Sequence, residues 1–161
     1  PLLESQVDVA LTQRVLINLL SWNHQKEALD NIFQVLRPGG HFIMIESFKE
    51  PWIQLNMARE EFGLPAVSVS KHNRYLTKRA IRYLTQDLDM QIFPAQTPSK
   101  ALSSLFFLSR IFHPLIRKPG QREKYSHLVK FFNLALPLGV GDYSPILFHV
   151  FKKKQHQEGG K

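Results

Sequence analysis

Two residues of the sequence carry side chains suited to moving a proton, and each has a competing explanation. Glu46 follows the apolar run 41–45, where a carboxylate can act as a general base or orient a substrate hydroxyl. A structural pairing of Glu46 with Arg59 or Arg74 is the alternative. His72 lies in a polar segment, and a histidine side chain can act as a general base, although it is one of seven histidines. Glu46 and His72 are therefore the candidate catalytic residues.

A second set of polar residues suits binding rather than proton transfer. Gln13 and Arg14 directly follow the apolar run 7–12, and the ends of such strands line the ligand crevice of open α/β sheets. We expect these two residues to line a crevice, with a plain exit into solvent as the alternative. Four further residues have side chains that hydrogen-bond well to a polar substrate: Asn56, Arg59, Asn73 and Tyr75.

The elements that would position these residues follow from the hydrophobic pattern. Residues 7–12 form a short β-branched run and residues 41–45 a second apolar run, both typical of strands. Between them, Ser21 is a predicted N-cap, apolar side chains recur at helical spacing, and Pro38-Gly39-Gly40 is predicted to stop the helix. Two strands joined by a helix predict a βαβ unit with parallel strands and a right-handed crossover.

The rest of the chain alternates helical and strand-like segments. Helices are predicted at about 50–62, 78–86, 100–113 and 121–136, and strands at 90–93 and 145–151. The last two strands are joined across the two apolar helices and are expected to pair antiparallel at the edge of the sheet. For the apolar helices, core packing competes with a role as a lid, as a docking surface for a partner or as a surface that lies on a membrane.

Composition restricts the chain to a few broad classes. Its 161 residues suit one domain, and the absence of cysteine excludes disulfides and thiolate metal sites. The longest apolar stretch, 101–116, is interrupted by polar residues and falls short of the ~20 residues that a spanning helix needs. No signal peptide opens the chain, so a cytoplasmic location is the expectation. The histidines are scattered without ligand spacing, so no metal site is predicted.

The net charge of +8 is concentrated in the second half of the chain. Residues 1–80 carry nine Lys or Arg against eight Asp or Glu, whereas residues 81–161 carry twelve against five. A basic half can attract phosphates, nucleic acid or anionic lipid, and a solvated basic surface with a Lys-rich tail is the alternative. Nucleic acid therefore stays open as a partner, although no nucleic-acid-binding motif accompanies the charge.

The pattern of a known protein family is found in three segments, residues 7–10, 15–19 and 29–43. They combine an Asp-containing strand, a short apolar segment, and a helix that leads into Leu36-Arg37-Pro38-Gly39-Gly40 before the next strand. In this order they resemble the carboxyl half of class I S-adenosylmethionine-dependent methyltransferases. The match covers roughly residues 5–48, and the remainder matches by the order of elements.

The resemblance implies both a fold and an activity. The fold is α/β and Rossmann-like: a parallel sheet with a terminal antiparallel strand, represented here by its carboxyl half, with a helical insertion at about 99–138. The activity is methyl transfer from S-adenosylmethionine to a small-molecule acceptor, with Gln13 and Arg14 against the cofactor. A second, weaker resemblance involves Glu46 and residues 55–59, 63–65 and 72–75. These residues resemble members of the family that are associated with sugar and polysaccharide biosynthesis, which implies a saccharide-like acceptor.

The chain departs from the family pattern in what precedes this segment. The family holds the cofactor mainly on three earlier strands, through a Gly-rich loop and an acidic residue that are not found here. Residues 1–154 are therefore expected to be the carboxyl half of a methyltransferase domain within a longer enzyme, followed by a disordered polar tail at 155–161. The first residue, Pro1, fits a truncated chain, and a natural remnant that no longer binds cofactor is the alternative.

Two other functions stay open. A degenerate half-domain could act as a non-catalytic interaction module through its exposed sheet edge and apolar helices. A nucleic-acid methyltransferase or binder could use the basic second half. The methyl acceptor, the methylated atom and the oligomeric state do not follow from the sequence. We expect the isolated chain to bind S-adenosylmethionine weakly or not at all.

Overall fold

The structure is a computed structural model that describes residues 6–94, 99–117 and 126–155. Its strands are β1 (Val7–Gln13), β2 (Leu36–Ser47), β3 (Met90–Ile92) and β4 (Ile146–Lys153). Its helices are α1 (Trp22–Val35), α2 (Lys49–Glu61), α3 (Lys78–Arg82), α4 (Ser103–Phe107), α5 (His113–Ile116) and α6 (His127–Ala135). A 3-10 turn (Leu16–Asn18) follows β1, and two π-helical segments extend α3 (Tyr83–Asp87) and join α4 to α5 (Leu108–Phe112).

The described strands form one sheet in the order β1-β2-β4-β3. β1 and β2 are parallel, as the strand-helix-strand pattern predicts, and β4 lies antiparallel between β2 and β3. The predicted fold class is therefore confirmed: an α/β, Rossmann-like sheet whose final strand is antiparallel. The last two strands also pair antiparallel as predicted, and β3 is the edge strand of that pair.

The connection from α1 into β2 differs from the prediction at one point. Ser21 caps α1 as predicted, because its hydroxyl accepts a hydrogen bond from the N–H of His24 at 3.1 Å. The helix ends at Val35, before the predicted stop at 38–40, because Leu36 is already extended and fully buried. The Pro-Gly-Gly segment instead forms a bulge at the start of β2, where Gly39 has a φ of +79°.

One face of the sheet is packed against the helices of the chain and is here called the covered face. It consists of Ala10, Thr12, Phe42, Met44, Glu46, Leu147, His149 and Phe151. Phe42 and Phe151 are fully buried and stack across β2 and β4, with 6.1 Å between their ring centroids. Leu29 of α1, Ala80 of α3 and Leu84 of its π extension pack into the same core. This face holds the hydrophobic core of the described chain.

The opposite face of the same strands is here called the open face. It consists of Val9, Leu11, Gln13, His41, Ile43, Ile45, Phe148, Val150 and Lys152. Each of these side chains keeps some exposure to solvent in the part of the chain that the structure describes, and Val9 and Leu11 are 52% and 59% exposed. Sheets with parallel strands are normally covered on both faces, so an apolar open face is unusual.

The segment between β3 and β4 folds into the two predicted apolar helical regions. The first region runs continuously through α4, the π segment and α5. The second includes α6, and its predicted start at Gln121 lies outside the described residues. Of α6 only Val129 is buried, whereas Phe131 and Leu134 are exposed to solvent. Core packing therefore accounts for only part of the apolar side chains in this insertion.

Two buried serines hold the insertion to the loop that returns to β4. The hydroxyl of Ser103 accepts a hydrogen bond from the N–H of Tyr143 at 2.9 Å. The hydroxyl of Ser104 donates to the carbonyl oxygen of Pro137 at 2.6 Å. Among the described helices, none is both long and apolar enough to cross a membrane. The predicted tail, 155–161, lies outside the described residues except for Gln155.

Candidate active-site crevice

The carboxyl ends of β1 and β2 lie side by side. Open α/β sheets bind their ligands outside such strand ends, so this end of the sheet is here called the candidate crevice. The N–H of Arg14 donates to the carbonyl oxygen of Ile45 at 2.9 Å, which places Arg14 against the end of β2. Arg14 has a φ of +55°, a left-handed conformation that is uncommon for residues other than glycine and that turns the chain sharply after β1. The structure thus brings Gln13, Arg14 and Glu46 to one end of the sheet, with Gln13 and Arg14 exposed.

Glu46 is fully buried and holds the loop that follows β1. Its Oε1 accepts hydrogen bonds from the N–H of Val15 at 3.0 Å and of Leu16 at 3.2 Å. These N–H groups belong to the start of the 3-10 turn and would otherwise have no partner there. The carboxylate that the sequence offers as a catalytic base therefore anchors the backbone beneath the crevice, and solvent does not reach it.

The burial of Glu46 changes its acidity. Burial raises the pKa of the Glu46 carboxyl, and the N–H groups of Leu16 and Val15 oppose this by stabilising the charged form. The second carboxyl oxygen, Oε2, and the hydroxyl of Thr12 are both buried without a hydrogen-bond partner among the described residues. The Thr12 hydroxyl nevertheless helps to stabilise the charged form of Glu46, which opposes the rise in its pKa.

A second loop is tied to the same 3-10 turn by a residue that the sequence does not single out. The side-chain amide of Gln25 donates to the carbonyl oxygens of Leu16 at 3.2 Å and Arg74 at 2.9 Å. The N–H of Arg74 in turn donates to the carbonyl oxygen of Ile17 at 2.7 Å. Gln25 is buried in the first turn of α1, and a polar residue on the apolar side of a helix is the signal that could have identified it.

Tyr75, a predicted substrate-binding residue, lies beside this crevice. Its ring meets Trp52 edge to face, with 6.5 Å between the centroids. Burial raises the pKa of the Tyr75 hydroxyl, and the nearby positive charges of Arg14 and Arg110 oppose that rise. Tyr75 is therefore a protonated phenol at neutral pH, able to donate a hydrogen bond.

Asn56 and Arg59 belong to a polar face of α2 that holds the loop after the helix. Asn56 binds the backbone of Val67 twice, accepting from its N–H at 2.8 Å and donating to its carbonyl oxygen at 3.1 Å. Trp52 donates to the same carbonyl oxygen at 2.8 Å, and the Nε of Arg59 donates to that of Pro65 at 2.8 Å. The amide of Asn56 is thus engaged with its own chain, which gives it a structural role. Its predicted contact with a substrate stays a prediction.

His72 and Asn73 lie further out on the loop. His72 is exposed, and its Nδ1 is hydrogen-bonded to the hydroxyl of Ser70 at 2.9 Å. Asn73 is partly buried, and its N–H donates to the carbonyl oxygen of Ser70 at 2.9 Å. His72 is therefore the candidate base that solvent reaches, while Glu46 is the one that the strand ends enclose. Their catalytic roles stay predictions.

A second depression, of about 840 Å³, lies between α2, α3 and β4. His149 forms part of its lining, with Phe48 edge-on at 5.6 Å between centroids and Phe151 at 6.0 Å. Burial lowers the pKa of His149, so the imidazole is neutral at physiological pH. The described residues include no group of three or more His, Asp or Glu arranged to hold a metal ion.

Comparisons with known proteins give weak likenesses. No protein-family model and no curated protein matches the sequence. The chain is similar to a chain of the complex between the Haloferax volcanii Trm112 methyltransferase activator and a protein assigned as a methyltransferase. The TM-score is 0.45 and the identity 10%, and the match covers 94% of this chain and 56% of the other. It is also similar to PKMT2 from Rickettsia typhi in complex with AdoHcy, with a TM-score of 0.41 and 12% identity. This match covers 95% of this chain and 36% of PKMT2, so the chain spans about half of the first structure and about a third of the second.

Proposed function

We propose that this chain is the carboxyl half of a class I methyltransferase domain, which acts within a longer enzyme. The reaction is methyl transfer from S-adenosylmethionine to a small-molecule acceptor of the saccharide class. The observation that supports this most strongly is the open face of the sheet next to the outer edge of β1, which pairs with no strand among the described residues. A second set of elements that covered this face and paired with β1 would complete a doubly wound sheet.

The open face supports an internal partner because of its composition. Six of its nine side chains are large and apolar: Val9, Leu11, Ile43, Ile45, Phe148 and Val150. Val9 and Leu11 are exposed and the other four are partly buried. Exposed apolar patches mark interaction surfaces. β1 adds an edge that presents alternate N–H and carbonyl groups, and such an edge accepts a further strand. Face and edge together fit a sheet layer better than they fit a small ligand.

The crevice supports methyl transfer through its position. In open α/β sheets the ligand lies outside the carboxyl ends of the strands, and Arg14 and Glu46 mark those ends here. The methyl group of S-adenosylmethionine is already activated, so the protein mainly positions the two reactants in line. In this proposal Gln13 and Arg14 contact the cofactor, Tyr75 contacts the acceptor, and Glu46 positions the loop that carries Arg14.

An interaction module without catalysis is the second candidate, and the same open face favours it. The two proposals differ in what covers that face. The enzyme proposal assigns an amino-terminal half of the same polypeptide, whereas the module proposal assigns a separate protein. They also differ in cofactor binding, since only a completed sheet provides the remaining cofactor contacts.

Calorimetry with S-adenosylmethionine and methyl-transfer assays test the proposed function. The 161-residue chain should bind S-adenosylmethionine weakly or not at all, because most of the binding site lies outside it. A longer natural chain that includes it should bind at micromolar concentration and methylate an acceptor from a panel of sugars, lipids and nucleic acids. Micromolar binding by the 161 residues alone would overturn the half-domain proposal. No binding by the longer chain would favour the interaction module.

A further inference from the structure

The proposed function gives no role to the depression of about 840 Å³ between α2, α3 and β4. Its lining includes none of the three residues placed at the candidate crevice, Gln13, Arg14 and Glu46. Pockets for small molecules usually enclose about 300–1,000 Å³ and combine an apolar lining with a few polar groups. The depression has a volume within that range and a lining of both kinds, so it has the size and composition of a small-molecule site.

Part of the lining is apolar and aromatic. Phe48, Ile81 and Leu147 belong to it, and Phe48 packs edge to face against the ring of His149. Burial keeps the imidazole of His149 neutral by lowering its pKa, and no described side chain hydrogen-bonds to it. A neutral imidazole offers one N–H donor and one acceptor nitrogen. This part of the depression therefore suits a flat apolar body with a hydrogen-bonding group beside it.

The charged part of the lining has an excess of one positive charge. It contains three cations, Lys78, Arg82 and Lys100, against two carboxylates, Glu50 and Asp142. Lys100 forms an ion pair with Asp142 at 3.1 Å between Nζ and Oδ2. Oε1 of Glu50 accepts a hydrogen bond from the backbone N–H of Lys78 at 2.9 Å. Both carboxylates are therefore already engaged within the chain.

Arg82, the last residue of α3, is the lining cation best suited to an external anion. It is exposed, and it takes part in none of the ion pairs formed among the described residues. A guanidinium presents N–H donors in a planar fork that matches two oxygens of a carboxylate or phosphate group. Because Arg82 lines the same depression as Phe48, Ile81 and Leu147, an anionic group and an apolar body can be bound together.

We propose that this depression binds a small organic anion with an apolar body. The body contacts Phe48, Ile81 and Leu147, and the carboxylate or phosphate group of the ligand pairs with Arg82. His149 provides a neutral hydrogen-bonding group beside the body. This site is additional to the one proposed at the strand ends, and it needs neither S-adenosylmethionine nor methyl transfer.

Titrations of the 161-residue chain with three matched probes test the site. Naphthoate and naphthyl phosphate share one apolar body and differ in the anionic group, whereas naphthol has the same body and is neutral at neutral pH. We expect NMR to show saturable shifts of the His149 ring protons, with at least one anion binding about fivefold or more tighter than naphthol. Tighter binding of naphthoate assigns a carboxylate ligand, and tighter binding of naphthyl phosphate assigns a phosphate ligand.

Intermolecular NOEs locate the bound probe. The naphthalene protons should show NOEs to Phe48, Leu147 and His149, which line the depression. NOEs confined to Val9 and Leu11 would mean that the probe only adheres to exposed apolar side chains of the open face. That result, or no saturable shift with either anion, would overturn the proposal.

Two substitutions on α3 test the role of the charge. Arg82→Gln should weaken binding of the tighter anion about tenfold and change naphthol binding less than twofold, because it removes only a charge-assisted contact. Arg79→Gln is the matched control, since Arg79 is exposed on the same helix but lies over the ring of Trp22 and outside the lining. It should change the affinity for the anion less than twofold. Equal weakening by the two substitutions would contradict the role of Arg82 and overturn the proposal. Since no cofactor enters these titrations, their failure would leave the proposed function untouched.

Discussion

The covered and open faces of the sheet belong to the same strands but differ in what surrounds them. On the covered face Phe42, Met44 and Phe151 are fully buried under helices of this chain. On the open face Val9 and Leu11 remain more than half exposed. Both sets are apolar, so side-chain character alone does not distinguish them. The difference teaches that the described part of this chain covers one face of the sheet and leaves the other partly exposed.

Stability should therefore depend on the two faces very unequally. Burial of apolar surface contributes about 25 cal/mol per Å² removed from water. The covered face is buried more completely than the open face, where Val9 and Leu11 keep more than half of their exposure and contribute little. Substitutions with the same chemistry on the two sides separate these contributions.

The largest difference is expected between two leucines. Leu29→Ala, in the core beneath the covered face, should lower the free energy of unfolding by about 2–5 kcal/mol. Leu11→Ala on the open face should change it by only about 0.5 kcal/mol, as surface substitutions usually do. Urea unfolding of both variants against the parent chain measures the two values. Equal losses would mean that the open face is covered in the isolated chain.

Glu46 marks the polar end of the covered face, and its removal should have the next largest effect. Glu46→Ala leaves the buried N–H of Leu16 and the partly buried N–H of Val15 without their acceptor, which should cost about 2–4 kcal/mol. Glu46→Gln keeps a carbonyl oxygen for them and should cost less. Urea unfolding at fixed pH measures both. If the two variants are equally stable, the carboxyl oxygen does not anchor the turn.

Comparing the parent chain with Glu46→Gln also predicts how the stability of the fold depends on pH. Because burial raises the pKa of Glu46 in the folded chain, stability is fully present below its ordinary value of about 4.5. As pH rises above that value the unfolded chain ionises more readily than the folded chain, and stability falls until the raised pKa is passed. The parent chain should therefore lose stability relative to Glu46→Gln over this range. A relative gain with rising pH would contradict the assignment.

A smaller effect is expected at α2, outside the comparison of the two faces. Asn56→Ala removes two hydrogen bonds to the backbone of Val67 and should cost about 1–2 kcal/mol. Gln54→Ala is the matched control, because Gln54 is exposed on the same helix. Amide exchange in the loop 63–67 should speed up in the first variant only. Unchanged exchange there would show that Asn56 does not hold the loop.

The sequence predicts the fold well because local patterns carry it. The β-branched run before Gln13 and the Ser21 cap are local signals, and both behave as predicted. The bulge at 38–40 could not be predicted, because it depends on Leu36 reaching the core before the proline. The sequence also does not predict which face of the sheet is covered, since β2 carries apolar side chains on both faces.

The candidate site is less predictable because its residues are assigned by long-range contacts. The sequence predicts Glu46 as a base at a strand end. In the structure the loop after β1 folds over it, and two N–H groups of that loop donate hydrogen bonds to its carboxylate. The sequence predicts Asn56 as a substrate-binding residue. In the structure its side-chain amide is hydrogen-bonded to the backbone of Val67. The sequence carries no signal for Arg110, because only the folded insertion brings its carbonyl oxygen to Arg59.

Amide exchange along β1 tests the central claim, that one edge and one face of this sheet await a partner. The N–H of Arg14 points to β2, so strand alternation directs those of Ala10 and Thr12 the same way and those of Val9, Leu11 and Gln13 outward. In the 161-residue chain, NMR should show slow exchange at Ala10 and Thr12 and fast exchange at the three outward amides. Equally slow exchange at all five positions would contradict the account, because the edge would then already be paired.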